Sequence, residues 1–375
     1  MMTMRMGSRL AGMAMALGLT LGGPAAALAK NTYVYVHDRQ IGGGIYAWVM
    51  DKSGGLTSLA GSPFPLVDDG GFCGGDCQTM AYSPKRKTLY TGGATGVSGW
   101  TVNKDGTLTA VPGSPFFPGA GGDFLGTGVV ETGKRVFVYS VSFNDNSVYA
   151  WEADKDGTLT ELAGSPFAAG TEPVGLATRK KFVFVANEGD DDLAIPSSLS
   201  SYLVGGDGTL LPTPGSPYTP LGVDFIYNAY PDLRGKFLFA DDGVNGIRSF
   251  AIDKKTAGLT EIVGSPFASL TGGAGVLVTK KLLYAVGYQV TDDALQPFKI
   301  EKKKGEVTPT GIIINSPLAI DTFTADKKGK RIVFAGPGGV ATATIDDKKQ
   351  GSLTGLDLEG FLVETNPNGA AMVKR

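Results

Sequence analysis

Short runs of apolar and β-branched residues recur along the whole chain, separated by glycine-rich and charged turns. Between them we find no apolar spacing of three and four residues, the pattern that predicts an amphipathic helix. Each run is therefore expected to be a buried strand. Seven runs are richest in β-forming residues: YVYV at residue 33, TLYTG at 88, VFVYS at 136, FVFVA at 182, FLFA at 237, LLYAV at 282 and IVFAG at 332.

An internal repeat accompanies these runs. The motif GSPF, with the variants GSPY and NSP, recurs at intervals of 49 to 52 residues. A turn and a short strand, such as DKDGTLTEL, precede each copy. A sequence period near 50 residues is typical of propeller blades. The copies begin at Gly61, Gly113, Gly164, Gly215, Gly264 and Asn315.

One repeat, residues 173–214, divides into four strands. From the inside outwards they are strand a (VGLAT), strand b (FVFVAN), strand c (around LSSYLV) and strand d (TLLPT). The c–d turn contains Asp-Gly, a pair that favours tight hairpins because glycine accepts a positive φ. Four antiparallel strands in each of seven units predict an all-β fold, a seven-bladed β-propeller over residues 30–375.

The two ends of the propeller lack complementary strands. The first blade starts directly with a strand b, at Tyr33–Val36, and the chain ends with NGAAMVKR, which has the pattern of a strand a. We expect residues 369–373 to supply the inner strand of the first blade. This pairing closes the ring and removes an open sheet edge.

An aromatic side chain recurs in strand c, three residues before the c–d turn. A stacking platform for sugars or bases is one interpretation. Packing between blades is the interpretation we favour, because recurrence in nearly every blade is what a structural role requires. The residues are Trp48, Trp100, Trp151, Tyr202, Phe250 and Phe298.

Composition and charge narrow the classes of function. The 56 glycines and 21 prolines suit many turns, and the formal net charge is −2. Without a basic excess, nucleic acid is not an expected partner. The chain contains one histidine, and we find no nucleotide-binding P-loop, serine-nucleophile elbow, zinc-protease or haem-attachment motif.

The first 29 residues read as a secretory signal peptide. Arg5 and Arg9 precede an apolar stretch at 10–22, and Ala27-Leu28-Ala29 is a small-residue cleavage site. No later segment reaches the 18 consecutive apolar residues typical of a transmembrane helix. We therefore expect an exported monomer in the periplasm, outside the cell or at its surface, without a transmembrane segment.

Export would place Cys73 and Cys77 in an oxidising compartment, where a local disulfide is the favoured interpretation. A metal or redox site is the alternative. It is less favoured because CxxxC is not the CxxC redox spacing, and no second Cys or His cluster completes a metal shell.

Two segments carry a family resemblance. FVFVANEGDDDLAIPSSLSSYLVGGDGTLLPTPGSPY and VFVYSVSFNDNSVYAWEADKDGTLTELAGSPF resemble blades of the lactonase-like seven-bladed propellers, the family of 6-phosphogluconolactonase and the 3-carboxymuconate cyclases. FVFVAN is also similar to the YVTN repeats of surface-layer propellers. The resemblance covers essentially the whole chain after the signal peptide. It implies lactone hydrolysis by His, Arg and Glu side chains near the central channel.

The inner strands depart from the pattern that the resemblance implies. None carries a histidine, and Arg179, Lys280 and Lys374 fall at strand ends by the a–b turn. Lactone hydrolysis needs a positioned base and an oxyanion stabiliser. The favoured function is therefore binding or interaction, and a sugar or aliphatic lactone hydrolase is the alternative. The catalytic candidates for that alternative are His37, Glu172, Asp224 and Asn228.

Charge is sorted between the two faces of the propeller. The b–c loops and d–a links form the top face, and the a–b and c–d turns form the bottom face. Most lysines and arginines fall in the bottom turns, and Arg39 is the only basic residue assigned to the top. The acids assigned to the top are Asp38, Asp68, Asp69, Asp76, Asp123, Asp145, Glu172, Glu188, Asp190, Asp191, Asp192, Asp224, Asp241, Asp242, Asp292, Asp293 and Glu364.

One interpretation of this acidic top face is that it binds a protein partner or a small ligand. The other is that the acids serve only to keep the protein soluble. The partner-binding candidates are Asp190, Asp191, Asp192, Asp241, Asp242, Asp292 and Asp293. No cofactor is required, and Ca²⁺ is the open alternative because carboxylates are its ligands. Glu188, Asp190 and Asp192, in the longest acidic b–c loop, are the candidate ligands.

Overall fold

Seven antiparallel sheets make up the described part of the protein. The computed structural model describes residues 31–39, 43–66, 79–269, 273–288, 293–326, 328–360 and 367–375. The signal-peptide prediction and the predicted Cys73–Cys77 disulfide lie outside these residues. The sheets confirm the predicted all-β, seven-bladed propeller.

The first three blades contain strands β1 to β13. Their bounds are β1 (Thr32–Asp38), β2 (Gly44–Met50), β3 (Leu56–Ser58), β4 (Phe64–Pro65), β5 (Met80–Ser83), β6 (Thr88–Gly92), β7 (Val97–Val102), β8 (Leu108–Ala110), β9 (Phe124–Thr132), β10 (Arg135–Ser142), β11 (Ser147–Ala153), β12 (Leu159–Glu161) and β13 (Phe167–Ala168).

The other four blades contain β14 to β30, and the last strand, β31, belongs to the first blade. Their bounds are β14 (Pro173–Arg179), β15 (Phe182–Asn187), β16 (Ser198–Val204), β17 (Leu210–Pro212), β18 (Ala229–Pro231), β19 (Phe237–Asp242), β20 (Gly246–Ile252), β21 (Leu259–Glu261), β22 (Gly273–Val278), β23 (Leu282–Tyr288), β24 (Asp293–Ile300), β25 (Val307–Pro309), β26 (Ile314–Asn315), β27 (Thr322–Ala325), β28 (Arg331–Gly336), β29 (Gly339–Asp346), β30 (Ser352–Gly360) and β31 (Pro367–Lys374).

Each blade follows the predicted order from inner to outer strand. In blade 4 the order is β14–β15–β16–β17, with every neighbouring pair antiparallel. Two 3-10 helices, Gly243–Asn245 and Asp347–Lys349, interrupt the strands. Within the described ranges, no helix has the length and apolar character needed to cross a bilayer.

Ring closure occurs as predicted. Strand β31 is the inner strand of blade 1 and pairs antiparallel with β1, from Thr32 opposite Lys374 to His37 opposite Gly369. Next to the Thr32–Lys374 pair, the Arg375 backbone N–H donates to the Asn31 carbonyl at 3.0 Å. The first and last described residues are therefore neighbours, and β1 has partners on both sides.

The recurrent strand c aromatics pack between blades. Trp100 lies in a buried cluster with Tyr33 and Tyr35 of blade 1, and Tyr202 lies in one with Phe137 and Tyr139 of blade 3. The six side chains are buried, with at most 5% of their surface exposed. This confirms the packing interpretation, since a stacking platform needs open ring faces.

Hydrogen bonds also join successive blades at the glycines of the c–d turns. The strand b hydroxyl of Tyr139 donates to the Gly208 carbonyl in the next blade's c–d turn at 2.8 Å. Tyr35, Tyr90 and Tyr284 make the equivalent bond. Gly208 has φ 95°, and a Cβ there would lie 2.5 Å from the Phe137 ring. Glycine is required by both the backbone conformation and this close approach.

The serine of the GSP motif has a hydrogen-bonding role. Strand d spans only three residues, so it leaves a backbone N–H of strand c without a ladder partner. The Ala47 N–H donates to Ser62 Oγ at 2.9 Å, and the Gly99 N–H donates to Ser114 Oγ at the same distance. Blades 3, 4 and 5 repeat this bond.

Two inner strands begin later than the sequence suggests. The patterns FIYNAY at 225–230 and AIDTFT at 319–324 predict strands a, whereas β18 starts at Ala229 and β27 at Thr322. In the second case, the Ile320 N–H donates to the Asp293 carboxylate at 2.6 Å. A backbone N–H that is bound to a side chain cannot join the ladder, which explains the later start.

Candidate functional site

His37 is buried within β1, with 1% of its surface exposed. Its Nδ1 lies 2.9 Å from Thr79 Oγ1. Burial, reinforced by the nearby Arg39 charge, lowers the pKa of His37 to about 3. The ring is therefore neutral at physiological pH and has no open approach from solvent. This location does not suit a catalytic base, because substrate cannot reach the ring.

Two further catalytic candidates accept hydrogen bonds from backbone N–H groups, one in blade 6 and one in blade 5. Asn228 is fully buried, and its Oδ1 accepts from the Val276 N–H of the neighbouring inner strand at 3.2 Å. Asp224 is exposed, and its Oδ2 accepts from the Val244 N–H at 3.0 Å. The four predicted catalytic residues therefore do not converge on one described cavity.

Asp241 and Asp242 do not contribute to an exposed acidic face. Both are buried where β19 ends. Burial, with repulsion from Asp242, raises the pKa of Asp241 well above its ordinary value. Asp242 forms an ion pair with buried Arg248, and Arg248 also binds Glu261 at 2.8 Å. Arg248 pairs with both carboxylates because a buried charge without a partner would destabilise the folded protein.

Asp293 is also buried, at the start of β24, and Asp292 lies outside the described residues. Burial raises the pKa of Asp321 to about 6, and repulsion from Asp293 adds to the effect. The sequence assigned Asp241, Asp242 and Asp293 to the top face as solvent-exposed loop residues. The structure buries all three.

A carboxylate cluster does form at the top of blade 4. The start of β14 and the end of β15 lie side by side, and the Glu188 N–H donates to the Glu172 carbonyl at 2.8 Å. The loop after β15 places three aspartates beside this pair. We call Glu172, Glu188, Asp190, Asp191 and Asp192 the blade 4 cluster.

The members of the blade 4 cluster repel one another. Burial raises the pKa of Glu172, and Asp190, Asp192 and Asp191 raise it further. Burial also raises the pKa of Glu188, with Glu172 and Asp191 adding to it. Within the described ranges, no lysine or arginine forms an ion pair with these five acids. A cationic group would relieve this repulsion.

A small hairpin presents the aspartates of the cluster to solvent. Asp190 and Ile195 exchange two backbone hydrogen bonds of 2.8 Å, and Asp190 Oδ1 accepts from the Leu193 N–H at 3.0 Å. Asp190 therefore shapes the turn, while Asp191 and Asp192 at its tip are exposed. Among the described residues no group of three acids, histidines or cysteines is arranged to hold a metal ion. Glu188, Asp190 and Asp192 are accordingly not a preformed Ca²⁺ site.

Tyr227 borders the blade 4 cluster, and Phe225 packs against Tyr227. The Tyr227 hydroxyl donates to the Glu188 carboxylate, which partly offsets the rise in the pKa of Glu188. The rings of Phe225 and Tyr227 lie 5.0 Å apart at 54°, and both are half-buried. Neither aromatic was predicted. Their position in an inner-strand pattern gave them the appearance of core residues.

Arg39 does not neutralise the blade 4 cluster. Its side chain is buried and pairs with Asp123 at 2.9 Å, and it also donates to the Phe124 carbonyl at 2.7 Å. The one basic residue assigned to the top face is thus held at the start of blade 3. The cluster remains without a cation on its own chain within the described residues.

A second site lies at the bottom end of the channel and was missed by sequence reasoning. All seven inner strands line a cavity of about 370 Å³ there. Arg179 and Lys280 are at its rim. Their positions at the ends of strands β14 and β22 were the available signal.

Comparison with known proteins establishes the fold. Neither a protein-family model nor a curated protein sequence matches the chain. A solved structure of a "putative 6-phosphogluconolactonase" from Bacteroides fragilis aligns with TM-score 0.66 and 16% identity, covering 93% of this chain and 99% of its own. A protein from Lactobacillus plantarum aligns with TM-score 0.65 and 16% identity, covering 92% and 100%.

A periplasmic gluconolactonase from Pseudomonas aeruginosa aligns with TM-score 0.59 and 13% identity, covering 92% of this chain and 99% of its own. At these identities the likeness concerns the fold. The chain thus shares the seven-bladed propeller fold of these structures, which confirms the fold that the sequence resemblance implied. What this chain binds or transforms has to be argued from its own side chains.

Proposed function

We propose that this chain is an exported binding propeller that captures a cationic group, such as a lysine of a partner protein, at the blade 4 cluster. The observation that carries the proposal is a group of mutually repelling carboxylates beside the half-buried Tyr227 ring, against which Phe225 packs. Carboxylates attract a cation by charge, and ring faces stabilise it through the π quadrupole.

The arrangement of charge supports the same function. The cluster has no cation of its own chain beside it in the described ranges, and the bottom turns hold lysines such as Lys302 and Lys328. A basic partner would thus be steered towards the top of blade 4 and away from the bottom face. Steering of this kind weakens with salt because the exposed charges are screened.

A charge-matched pair of variants tests the proposal. We expect Asp191→Asn with Asp192→Asn to weaken binding of dye-labelled hexalysine about fivefold at low salt, since exposed charges contribute roughly 0.2–1 kcal/mol each. Asp190 is left unchanged because it shapes the turn. The measurement is fluorescence anisotropy at two salt concentrations.

The matched control is Asp154→Asn with Glu306→Gln, which removes two bottom-face acids and changes net charge equally. Asp154 lies in the blade 3 c–d turn. Glu306 Oε1 forms an exposed ion pair with Lys304 Nζ at 3.5 Å. We expect this control to bind hexalysine like the unaltered protein. Equal weakening in both double variants would mean that net charge, not the blade 4 cluster, determines binding.

Lactone hydrolysis is the second candidate, because Glu188 has the properties of a general base. It is half-buried, its pKa is raised, and the Tyr227 hydroxyl orients it. A carboxylate with a raised pKa removes a proton from water more readily. The fold shared with the Pseudomonas gluconolactonase makes gluconolactone the substrate to test.

For a hydrolase, proton release from gluconolactone should fall at least about 100-fold in Glu188→Gln, the scale of a lost general base. It should be unchanged in His37→Asn, because His37 is buried away from substrate. No proton release above the buffer rate would reject hydrolysis of this lactone, and the binding proposal would then be judged on hexalysine alone.

A further inference from the structure

The bottom end of the central channel has the dimensions and lining of a small-molecule site. Its volume of about 370 Å³ falls within the 300–1,000 Å³ usual for ligand pockets. Hydroxyl-bearing side chains line it, including Tyr82, Thr178 and Thr324. The Thr178 hydroxyl donates to the Val129 carbonyl at 2.9 Å, so its lone pairs can still accept hydrogen bonds from a ligand.

Arg179 brings an incompletely bonded guanidinium to this cavity. Its Nε is buried and makes no hydrogen bond within the described residues. Burial lowers the pKa of Arg179. Asp232, whose charge partly offsets this effect, is already bound through its Oδ1 to the N–H groups of Lys236 and Phe237, at 2.5 and 3.0 Å. Among the described residues, the terminal nitrogens of Arg179 have no hydrogen-bond partner either, so they can bind an anion.

The other charges around the cavity also favour an anion. Lys280 lines the cavity beside Arg179. The one acid in the lining, Asp326, accepts through Oδ1 from the backbone N–H groups of Lys330 and Arg331 at 2.6 and 3.0 Å. A neighbouring groove shares Lys280 and adds Arg234, Lys281, Lys302, Lys328 and Lys330. Together they give the channel mouth a positive potential.

From this geometry we infer that the bottom cavity binds a hydroxylated carboxylate of monosaccharide size. The carboxylate would bind the terminal nitrogens of the Arg179 guanidinium, because the planar fork of arginine matches a carboxylate in two hydrogen bonds. Lys280 would add a second charge, and the ligand hydroxyls would bind the threonine and tyrosine hydroxyls of the lining. The site is separate from the blade 4 cluster and independent of the function proposed for it.

Calorimetric titration with gluconate tests this inference. We expect binding by the unaltered protein, at least tenfold weaker binding by Arg179→Gln, and an intermediate loss in Arg179→Lys, which keeps the charge but not the fork. The matched control is Arg234→Gln, which removes an exposed cation from the neighbouring groove. It should change the affinity less than twofold.

Two comparisons separate sugar-acid recognition from general anion binding. Glucose, which has the hydroxyls without the carboxylate, should bind at least tenfold more weakly than gluconate, and so should inorganic phosphate. Arg179→Met should melt at or above the temperature of the unaltered protein without ligand, because it removes a half-buried charge whose Nε makes no hydrogen bond. Equal losses in Arg179→Gln and Arg234→Gln, phosphate binding as tight as gluconate binding, or no gluconate binding would each overturn the inference.

Discussion

Removing residues 367–375 is expected to abolish cooperative folding of the propeller. Strand β31 forms seven registered pairs with β1, and Val373 is buried against neighbouring blades. With a net contribution near 1 kcal/mol for each hydrogen bond, the loss is roughly 5 kcal/mol before packing is counted. Domains are usually stable by about 5–15 kcal/mol, so this is a large share. Urea unfolding followed by tryptophan fluorescence measures it.

A transplanted strand is the control for this deletion. Because Arg375 and Asn31 are already hydrogen-bonded, residues 367–375 can be placed before Asn31 through an Asn-Gly hairpin turn. We expect this rearranged chain to recover most of the lost stability, since the same pairing forms locally. An unfolding midpoint unchanged by the deletion would show that ring closure contributes little.

The second large effect concerns His37 and acid stability. Its pKa falls from an ordinary 6.5 to about 3 on folding, so the folded state favours the neutral ring. The stabilisation is complete above pH 6.5 and is lost as the pH falls towards 3. At about 1.4 kcal/mol for each pKa unit, the unaltered protein should lose about 3 kcal/mol more than His37→Asn between pH 7 and pH 4.5.

The difference between these two proteins isolates the histidine, because their carboxylates titrate alike. Asparagine stays neutral and can still bond to Thr79, which lies 2.9 Å from His37 Nδ1. His37 is the single histidine of the chain, so its ring gives one unambiguous NMR signal. That signal should not shift between pH 8 and pH 5. Titration near pH 6.5 would contradict the burial argument.

The two ends of the propeller carry different chemistry. At the top of blade 4, acids with raised pKa values lie beside aromatic rings, and this arrangement suits a cation. At the bottom, an arginine with an unsatisfied Nε lies in a hydroxyl-lined cavity, and this arrangement suits an anion. Binding at one end and binding at the other can therefore be disrupted separately by Asp191→Asn with Asp192→Asn and by Arg179→Gln.

Sequence alone was sufficient for the architecture because the determinants of a blade are local. The GSP motif, the glycine-containing c–d turn and the apolar strand b recur about every 50 residues, and each is a local feature of its own blade. Blade number and ring closure follow from counting these units and noting the missing inner strand. The buried aromatics of strand c were predictable because each occupies an equivalent place in its blade.

The tertiary structure alone decided which polar residues are available to a ligand. The sequence pattern of His37, Asp241, Asp242 and Asp293 is that of exposed loop residues, yet the folded chain buries them at strand ends. Arg179 and Lys280 lie 101 positions apart in the sequence. They line the same cavity because seven separate inner strands surround it. A sequence repeat reflects contacts within one blade. Which polar side chains are buried, and which line a common cavity, depends on contacts between blades, and these have no local sequence signature.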